Sequence, residues 1–422
     1  MTTVRRLPRY RDLRPLLGAG TSRPSRLERA VDLADVRELA RRRIPRLVFD
    51  YVDGAAEDER SAAAARRAFD EVVFTPRVMR DVAQVDTATR VLGEPASMPL
   101  VLAPTGFTRM MHTAGEPAVA AAAGLAGVPY TLSTMGTTSP ERLAAQSPRT
   151  DLWFQLYVWQ DRVRSEELLA RVSGAGFRVL VVTVDVPVAG ARLRDDRNGL
   201  TVPPRLSART LGSFARHPSW AIDALTTEPL SFASFSDKPA DLTSLINTMF
   251  DPRVTWADIE WLRRQWSGPL VLKGIQHVDD AQRAVDSGAD AVVLPNHGGR
   301  QLDRAITPLA LLPDVVAAVS GRAEIYLDGG LRSGADIAAA VGLGADACLI
   351  GRPYLYGLMA GGQAGVQRVL DLFSTEFRRT MQLLGARDVS ELRDRRVTAR
   401  TGERLSLGPT LVEQPDGRAV AI

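Results

Sequence analysis

The stretch VVLPNHGGRQLD, Val292 to Asp303, runs from an apolar segment of β type into His297, two glycines and Arg300. A base followed three residues later by a bidentate cation suits an α-substituted carboxylate. The guanidinium clamps the carboxylate while the imidazole takes a proton beside it. A lone His–Arg pair can equally be structural. The chain has only four histidines, His112, His217, His277 and His297, which narrows the search for a general base. His217 and His277 read as surface or loop residues and His112 as a loop support. Lysine is rarer still, with only Lys238 and Lys273, so arginine is the default cation here. A lysine kept against that background is expected to serve through its compact ammonium. Lys273 ends the run PLVLKG, where it could stabilise negative charge developing on a cofactor; a structural ion pair is the plainer use. Asp185, at the end of RVLVVTVD, is placed to orient an imidazole and stabilise its cation. DGGLRSG (328–334) and IGRP (350–353) join glycine backbone to Arg332 and Arg352, as phosphate sites do; solvated glycine turns share the pattern.

The elements that must position these residues are short apolar runs bounded by turn residues. Eight follow residue 98: PLVLAP (99–104), PYTLST (129–134), LWFQLY (152–157), RVLVVTVD (178–185), PLVLKG (269–274), DAVVLPN (290–296), EIYLDGG (324–330) and DACLIGR (346–352). Helix-like stretches ending in glycine lie between most of them, such as EPAVAAAAGLAG and SGADIAAAVGLGAD. Serial strand–helix units predict an α/β fold, a (β/α)8 TIM barrel of parallel strands. Its active site belongs at the C-terminal strand ends, where Thr105, Ser133, Gln155, Tyr157, Thr183, Asp185, Lys273, His297, Asp328 and Arg352 all fall. Phosphate is expected after strands 7 and 8. The organisation reads as an N-terminal helical extension (1–98) packing on the barrel, the barrel itself (99–400) and a C-terminal tail (401–422). The extension includes the helix-like LADVRELARRRIPRLVFDYVDGAAEDE. About 83 residues separate strands 4 and 5, with an insert at about 203–250. An insert of that length is a lid, a docking segment or a stretch without fixed structure.

Composition sets the outer bounds. The chain of 422 residues is 45% hydrophobic and 24% charged, ordinary globular values. Its single cysteine, Cys348, allows no intrachain disulfide and fits a reducing compartment. The basic N-terminus lacks the apolar run of a signal peptide, and no window reaches a membrane span. A net charge of +4 on this length does not point to nucleic acid. No metal-ligand cluster is expected.

FDYVDGAAEDE, APTGF, WFQLYVW, TVDVPVAGARLRD, LVLKGI, NHGGRQLD, LDGGLRSG and IGRPYLYGLMAGGQAGV together resemble the FMN-dependent 2-hydroxy acid dehydrogenase/oxidase family over roughly residues 30–400. That family includes glycolate oxidase, L-lactate dehydrogenases, lactate monooxygenase and mandelate dehydrogenase. RDLRPLL, APTGFTRMMHTAGE, VDVPVAGARLRDDRNG and LTTEPLSFAS resemble the bacterial membrane-associated L-lactate dehydrogenases. The resemblance implies FMN and oxidation of an L-2-hydroxy acid, L-lactate to pyruvate, with electrons passed to a quinone or another acceptor. A peroxide-forming oxidase and a mandelate-type dehydrogenase are the alternatives. It also implies His297 as base paired with Asp185, and Arg192, Arg300 and Tyr51 holding the substrate carboxylate. Tyr157 would bond the substrate hydroxyl, and Lys273 would lie beside the flavin. Pro104, Thr105, Gly106, Ser133, Gln155 and Thr183 would surround the ring and ribityl chain. Asp328, Gly329, Gly330, Arg332, Gly351 and Arg352 would hold ribityl and phosphate. Met135 is expected to line the side-chain pocket.

A homo-oligomer, a tetramer in relatives, follows from the same likeness. So does a cytoplasmic location at the inner membrane face, touching it through the basic and aromatic 203–250 insert; a soluble lid is the other use of that insert. Gly106, alanine in glycolate-oxidase-like members, is expected to leave room for oxygen. Pro295 replaces a serine of many relatives and is expected to remove a hydrogen bond near the flavin. A flavin-free phosphate-ligand barrel with a Schiff-base Lys273, or an inactive flavin-binding scaffold, are the competing classes.

Overall fold

The computed structural model describes residues 24–199, 214–228, 250–394 and 397–398 with their side chains, and Gly212 and Ala233 singly. It adds the backbone of short strands at 399–401, 404–406, 411–413 and 419–421.

Eight parallel strands close into a barrel: β1 (Leu100–Leu102), β2 (Tyr130–Ser133), β3 (Leu152–Leu156), β4 (Val179–Thr183), β5 (Leu270–Lys273), β6 (Ala291–Pro295), β7 (Glu324–Asp328) and β8 (Ala347–Ile350). Each pairs with its neighbours in chain order, and β8 returns to β1 through Cys348–Leu100, Leu349–Val101 and Ile350–Leu102. These are the expected strands in the expected order. Their sequences are nearly unbroken apolar runs because both strand faces are buried.

The period of two sorts the residues. Leu132, Phe154, Leu180, Val182, Leu272, Leu294 and Ile350 face outward into the helix-packed core. Val101, Trp153, Val179, Val181, Val271, Val293, Tyr326 and Leu349 fill the barrel interior. One step further along, the same inward parity reaches Ser133, Gln155, Thr183, Lys273 and Asp328. The barrel is thus apolar in its lower layers and polar in its top layer. The hairpin Thr89–Val91/Glu94–Ala96 closes the lower end, with Val91 fully buried among the interior residues.

The N-terminal stretch folds as two helices where the sequence reads as one. α1 (Leu33–Arg43) is capped by Asp32, whose side chain accepts from the Asp35 amide. Pro45 cannot continue it, and Ile44 before it is extended (φ −116°, ψ 158°). α2 (Arg46–Asp53) then restarts and carries Tyr51 to the mouth of the barrel, and α3 (Arg60–Asp70) follows. After β8, α4 (Arg352–Leu384) kinks at Gly361–Gly362 and packs on α1. The strand Val397–Thr401 pairs antiparallel with Val72–Phe74, so the chain after α4 returns to the N-terminal extension.

Within the β4–β5 connection, helices lie at Leu193–Asn198 and Pro218–Thr226. The second rests on the barrel through Trp220, whose indole N–H donates to the Met110 carbonyl at 3.1 Å. Most of the 203–250 insert and all of residues 1–23 lie outside the described residues.

Candidate active site

A cavity opens at the C-terminal ends of the strands. Every residue the sequence nominated, from Tyr51 to Arg352, lines it except Asp185. Asp185 sits behind His297, its side chain only 4% exposed, with both carboxylate oxygens 3.2 Å from His297 Nδ1. Burial pushes the Asp185 carboxyl up, but the imidazole and then the Lys273 ammonium outweigh it and hold it below its ordinary range. An ionised Asp185 accepts from Nδ1–H, which leaves the lone pair on Nε2.

His297 pays locally for its position, with φ at 51°, and Gly298 (63°) and Gly299 (73°) continue in the left-handed region. A Cβ on Gly299 would lie 2.7 Å from the Ala62 amide nitrogen, so only glycine lets α3 approach this turn. The turn is held by the Ala56 N–H, which donates to the Gly299 carbonyl at 2.8 Å. Asp303 fixes its far end, accepting from the amides of Ser61 (2.7 Å) and Arg60.

Lys273 Nζ stands 2.7 Å from Asp328 Oδ2, nearly buried. Burial alone would lower the ammonium's affinity for its proton, but Asp328 and Asp185 reverse the sign and raise it. Both readings of Lys273 therefore coexist: it is an ion pair, and its charge faces the cavity. Tyr157 is half-buried, and its desolvation together with Asp185 and Tyr51 raises its pKa despite Arg192 and Arg300, so the phenol keeps its proton. Arg192 and Arg300 lie over the Tyr51 ring, their guanidinium carbons 5.5 and 4.9 Å from its centroid. Burial, and next the Arg192 charge, lower the Arg300 pKa, so an anion entering here would relieve two crowded cations. Arg300 also donates to the carbonyls of Tyr51 (2.6 Å) and Gly54 (3.1 Å).

Ser133 and Thr134 fix Gln155 by donating to its Oε1 at 3.1 and 3.3 Å. Its Nε2 is buried in the cavity wall with no partner among the described residues. A buried amide donor without an acceptor calls for a ligand that presents one, such as a carbonyl oxygen. At the other end, Gly351 opens α4, and outside its own helix the nearest described atom to where its Cβ would stand is Thr105 Cγ2 at 3.7 Å. An open glycine at a helix N-terminus fits an anion such as phosphate. Arg332 lies over Tyr356 at 5.9 Å. Arg352 spends three donors on the carbonyls of Val52, Gly298 and Gly54, and burial lowers its pKa to about 10. The residues present fit FMN.

A sequence model of FMN-dependent dehydrogenases matches residues 40–399. The chain belongs to the FMN-dependent dehydrogenase family. This family member is 52% identical over 404 residues to a Mycobacterium tuberculosis protein named "Putative L-lactate dehydrogenase", covering 94% of this chain and 97% of that one. It is 41% identical to an L-lactate oxidase of Nostoc over 86% of this chain and 96% of the relative. Among solved structures, the monotopic membrane protein (S)-mandelate dehydrogenase superposes with a TM-score of 0.85 at 36% identity, covering 88% of this chain and all of that one. Its cofactor is FMN and its chemistry is that of a 2-hydroxy acid dehydrogenase.

One sequence expectation changes. The space at Gly106 is not open: a Cβ there would stand 2.8 Å from the Met135 Cβ, so the Met135 side chain occupies the room expected for oxygen. Pro295 is buried at the end of β6, where it pairs in register with Asp328. Sequence reasoning also passed over several residues. Tyr354 locks Thr105 through its hydroxyl (2.6 Å) and donates to the Ala103 carbonyl (2.7 Å). Phe250 meets the Tyr157 ring edge-on at 5.3 Å. Tyr354 adjoins the IGRP motif, a usable signal, whereas Phe250 ends the long insert and carried none. His277 caps the helix Val278–Asp286, and His112 accepts from the Ala114 amide, as loop-supporting residues should.

Proposed function

We propose that this FMN-dependent dehydrogenase oxidises an L-2-hydroxy acid, L-lactate to pyruvate, and passes the electrons to a quinone or another acceptor. The observation that carries the reading is the His297–Asp185 pair, 3.2 Å apart, backing onto the cavity shared by Arg192, Arg300 and Tyr157. Arg192 and Arg300 hold the substrate carboxylate against Tyr51. The Tyr157 phenol donates to the substrate hydroxyl. Oxidation removes two protons and two electrons from the substrate. His297 Nε2 takes up one of those protons, and the ionised Asp185 stabilises the imidazolium. Bound FMN would take up the two electrons together with the other proton. Gln155, Ser133, Thr183, Pro104, Thr105 and Gly106 would hold its ring and ribityl chain, with Lys273 stabilising negative charge there. Asp328, Gly329, Gly330, Arg332, Gly351 and Arg352 would take ribityl and phosphate.

A second reading has one observation in its favour. Phe250, Met135 and Val186 give the cavity an apolar wall that suits the phenyl ring of a mandelate. The proposal also takes in a homo-oligomer in the cytoplasm, held at the inner membrane face through the 203–250 insert. Ile222 and Leu225, 60% and 83% exposed on the insert's helix Pro218–Thr226, support that contact. Among the described residues no helix is long and apolar enough to cross a membrane.

The test is the anaerobic visible spectrum of the purified protein with L-lactate, D-lactate and (S)-mandelate in turn. Bleaching by L-lactate and not by D-lactate is expected. Bleaching by mandelate alone would replace lactate with the second reading, and a protein that cannot bind FMN would sink both. Slow reoxidation in air is expected of a dehydrogenase, and fast reoxidation with peroxide would make it an oxidase.

A further inference from the structure

The groups assigned to proton transfer and carboxylate binding come from two loops. Asp185 and Arg192 bracket the loop after β4, and His297 and Arg300 lie on the loop after β6. Neither loop is regular enough to fix the other, yet the His297–Asp185 contact and the meeting of two arginines over Tyr51 both depend on their register. Besides the His297–Asp185 contact, the Gln301 side chain joins them directly. Gln301 Oε1 accepts from the Gly190 amide at 3.2 Å. Its Nε2 donates to the Val188 carbonyl at 2.9 Å and reaches the Asp185 carbonyl at 3.4 Å. A carboxamide alone among side chains of this size offers an acceptor and two donors at once. The facing backbone is shaped for the same contact. A Cβ on Gly190 would fall 2.3 Å from the Arg300 carbonyl oxygen and 2.8 Å from Gln301 Cα, so the loops touch where only glycine fits.

We infer that Gln301 is a positioning residue that zips the β4 loop onto the β6 loop, setting the base–carboxylate pair and the substrate-carboxylate clamp together. It acts through His297, Asp185, Arg192 and Arg300. The inference rests on the hydroxy acid reading of the same site.

Gln301→Leu removes both donors and the acceptor at similar volume. In the FMN-loaded enzyme, its flavin reduction by L-lactate should slow by about 10- to 100-fold, since sub-ångström misplacement of reacting groups costs that much. The deuterium isotope effect with [2-²H]-lactate should rise as C–H cleavage becomes limiting. The Kd for pyruvate, read from the flavin spectrum, should weaken by about tenfold as the clamp loosens. FMN content should match wild type. Gly190→Ala pushes the loops apart from the other side and should give the same three changes, and combining the two should add little. Leu302→Ser, on an exposed neighbouring side chain, should give none.

Wild-type rates and pyruvate affinity in Gln301→Leu would overturn the inference. So would a defect in Gln301→Leu that Gly190→Ala does not share, because Gln301 would then act on the substrate itself. Should Gln301→Leu lose FMN, Gln301→Glu decides. It keeps shape and acceptor but no donors, and normal reduction by that variant would also overturn the inference. Wild type that no L-2-hydroxy acid bleaches would instead remove the functional reading beneath it.

Discussion

His297 carries its lone pair on Nε2 only while Asp185 stays ionised behind it. Asp185→Asn should therefore lower the rate of flavin reduction by about 10²- to 10⁴-fold with FMN content unchanged, measured by anaerobic stopped flow. Less than a tenfold loss would mean that the base does not need its carboxylate. The folded pKa of Asp185 lies below its unfolded value of 3.8. Its contribution to stability is thus fully present above that value and is lost as pH falls through the folded pKa. The stability difference between wild type and Asp185→Asn should stay constant from neutral pH down to that region and shrink below it. Lys273 runs the other way. Its pKa is raised above 10.5, so its pairing is intact through neutral pH and lost only as alkali passes the folded value. Lys273→Met strands a nearly buried Asp328 and should cost about 3–5 kcal/mol in denaturant unfolding. A cost under 1 kcal/mol would show that Asp328 finds water or another donor.

At the scale of elements, the site is assembled by pieces that lie far apart in the chain. α2 brings Tyr51 over the mouth, and Arg300 and Arg352 seize the carbonyls at its C-terminal end. A helix C-terminus is a partial negative charge, so two guanidiniums are a natural partner for it. Arg194 completes the tie from the outside. It meets Asp53 at 3.1 Å and Glu59, two residues along the chain from Arg192. Arg194→Ala should raise KM for the hydroxy acid by about three- to tenfold while kcat falls less, because a partly exposed ion pair contributes only about 1 kcal/mol. An unchanged KM would mean that Arg192 is placed without help from α2. The β4–β5 insert contributes Phe250 at its end. The adjacent Asp251, paired with Arg162 and Arg253, fixes where that ring emerges.

For the whole molecule, the barrel separates stability from chemistry. The polar layer sits at the upper strand ends, while Trp153, Tyr326 and the hairpin with Val91 fill the lower end. The strand Val397–Thr401 pairs with Val72–Phe74 away from the site, and buried Val397 covers Gly342. Truncation after Asp394 should remove about 1.5–3 kcal/mol with the Val397 side chain alone and lower Tm by several degrees, leaving FMN binding intact. Loss of the flavin in that variant would tie the tail to the site.

The sequence by itself determined the barrel, the order of its strands and the polar residues that close them. Strands buried on both faces must be written as apolar runs, and a polar residue closing such a run has the open end of the barrel to face. His297, Asp185, Lys273 and the two glycine–arginine stretches were legible for that reason. Tyr51 entered through resemblance alone, because nothing local to α2 records that it meets Arg192 and Arg300. Only the tertiary structure decided how the groups are held. The Ile44–Pro45 break, Met135 in the space beside Gly106, the donors of Arg352 spent on backbone and the Gln301 contact to Gly190 are all relations across long chain separations. A pattern of residue types fixes which face a side chain takes, and the close approach of two loops depends on the atoms that meet there.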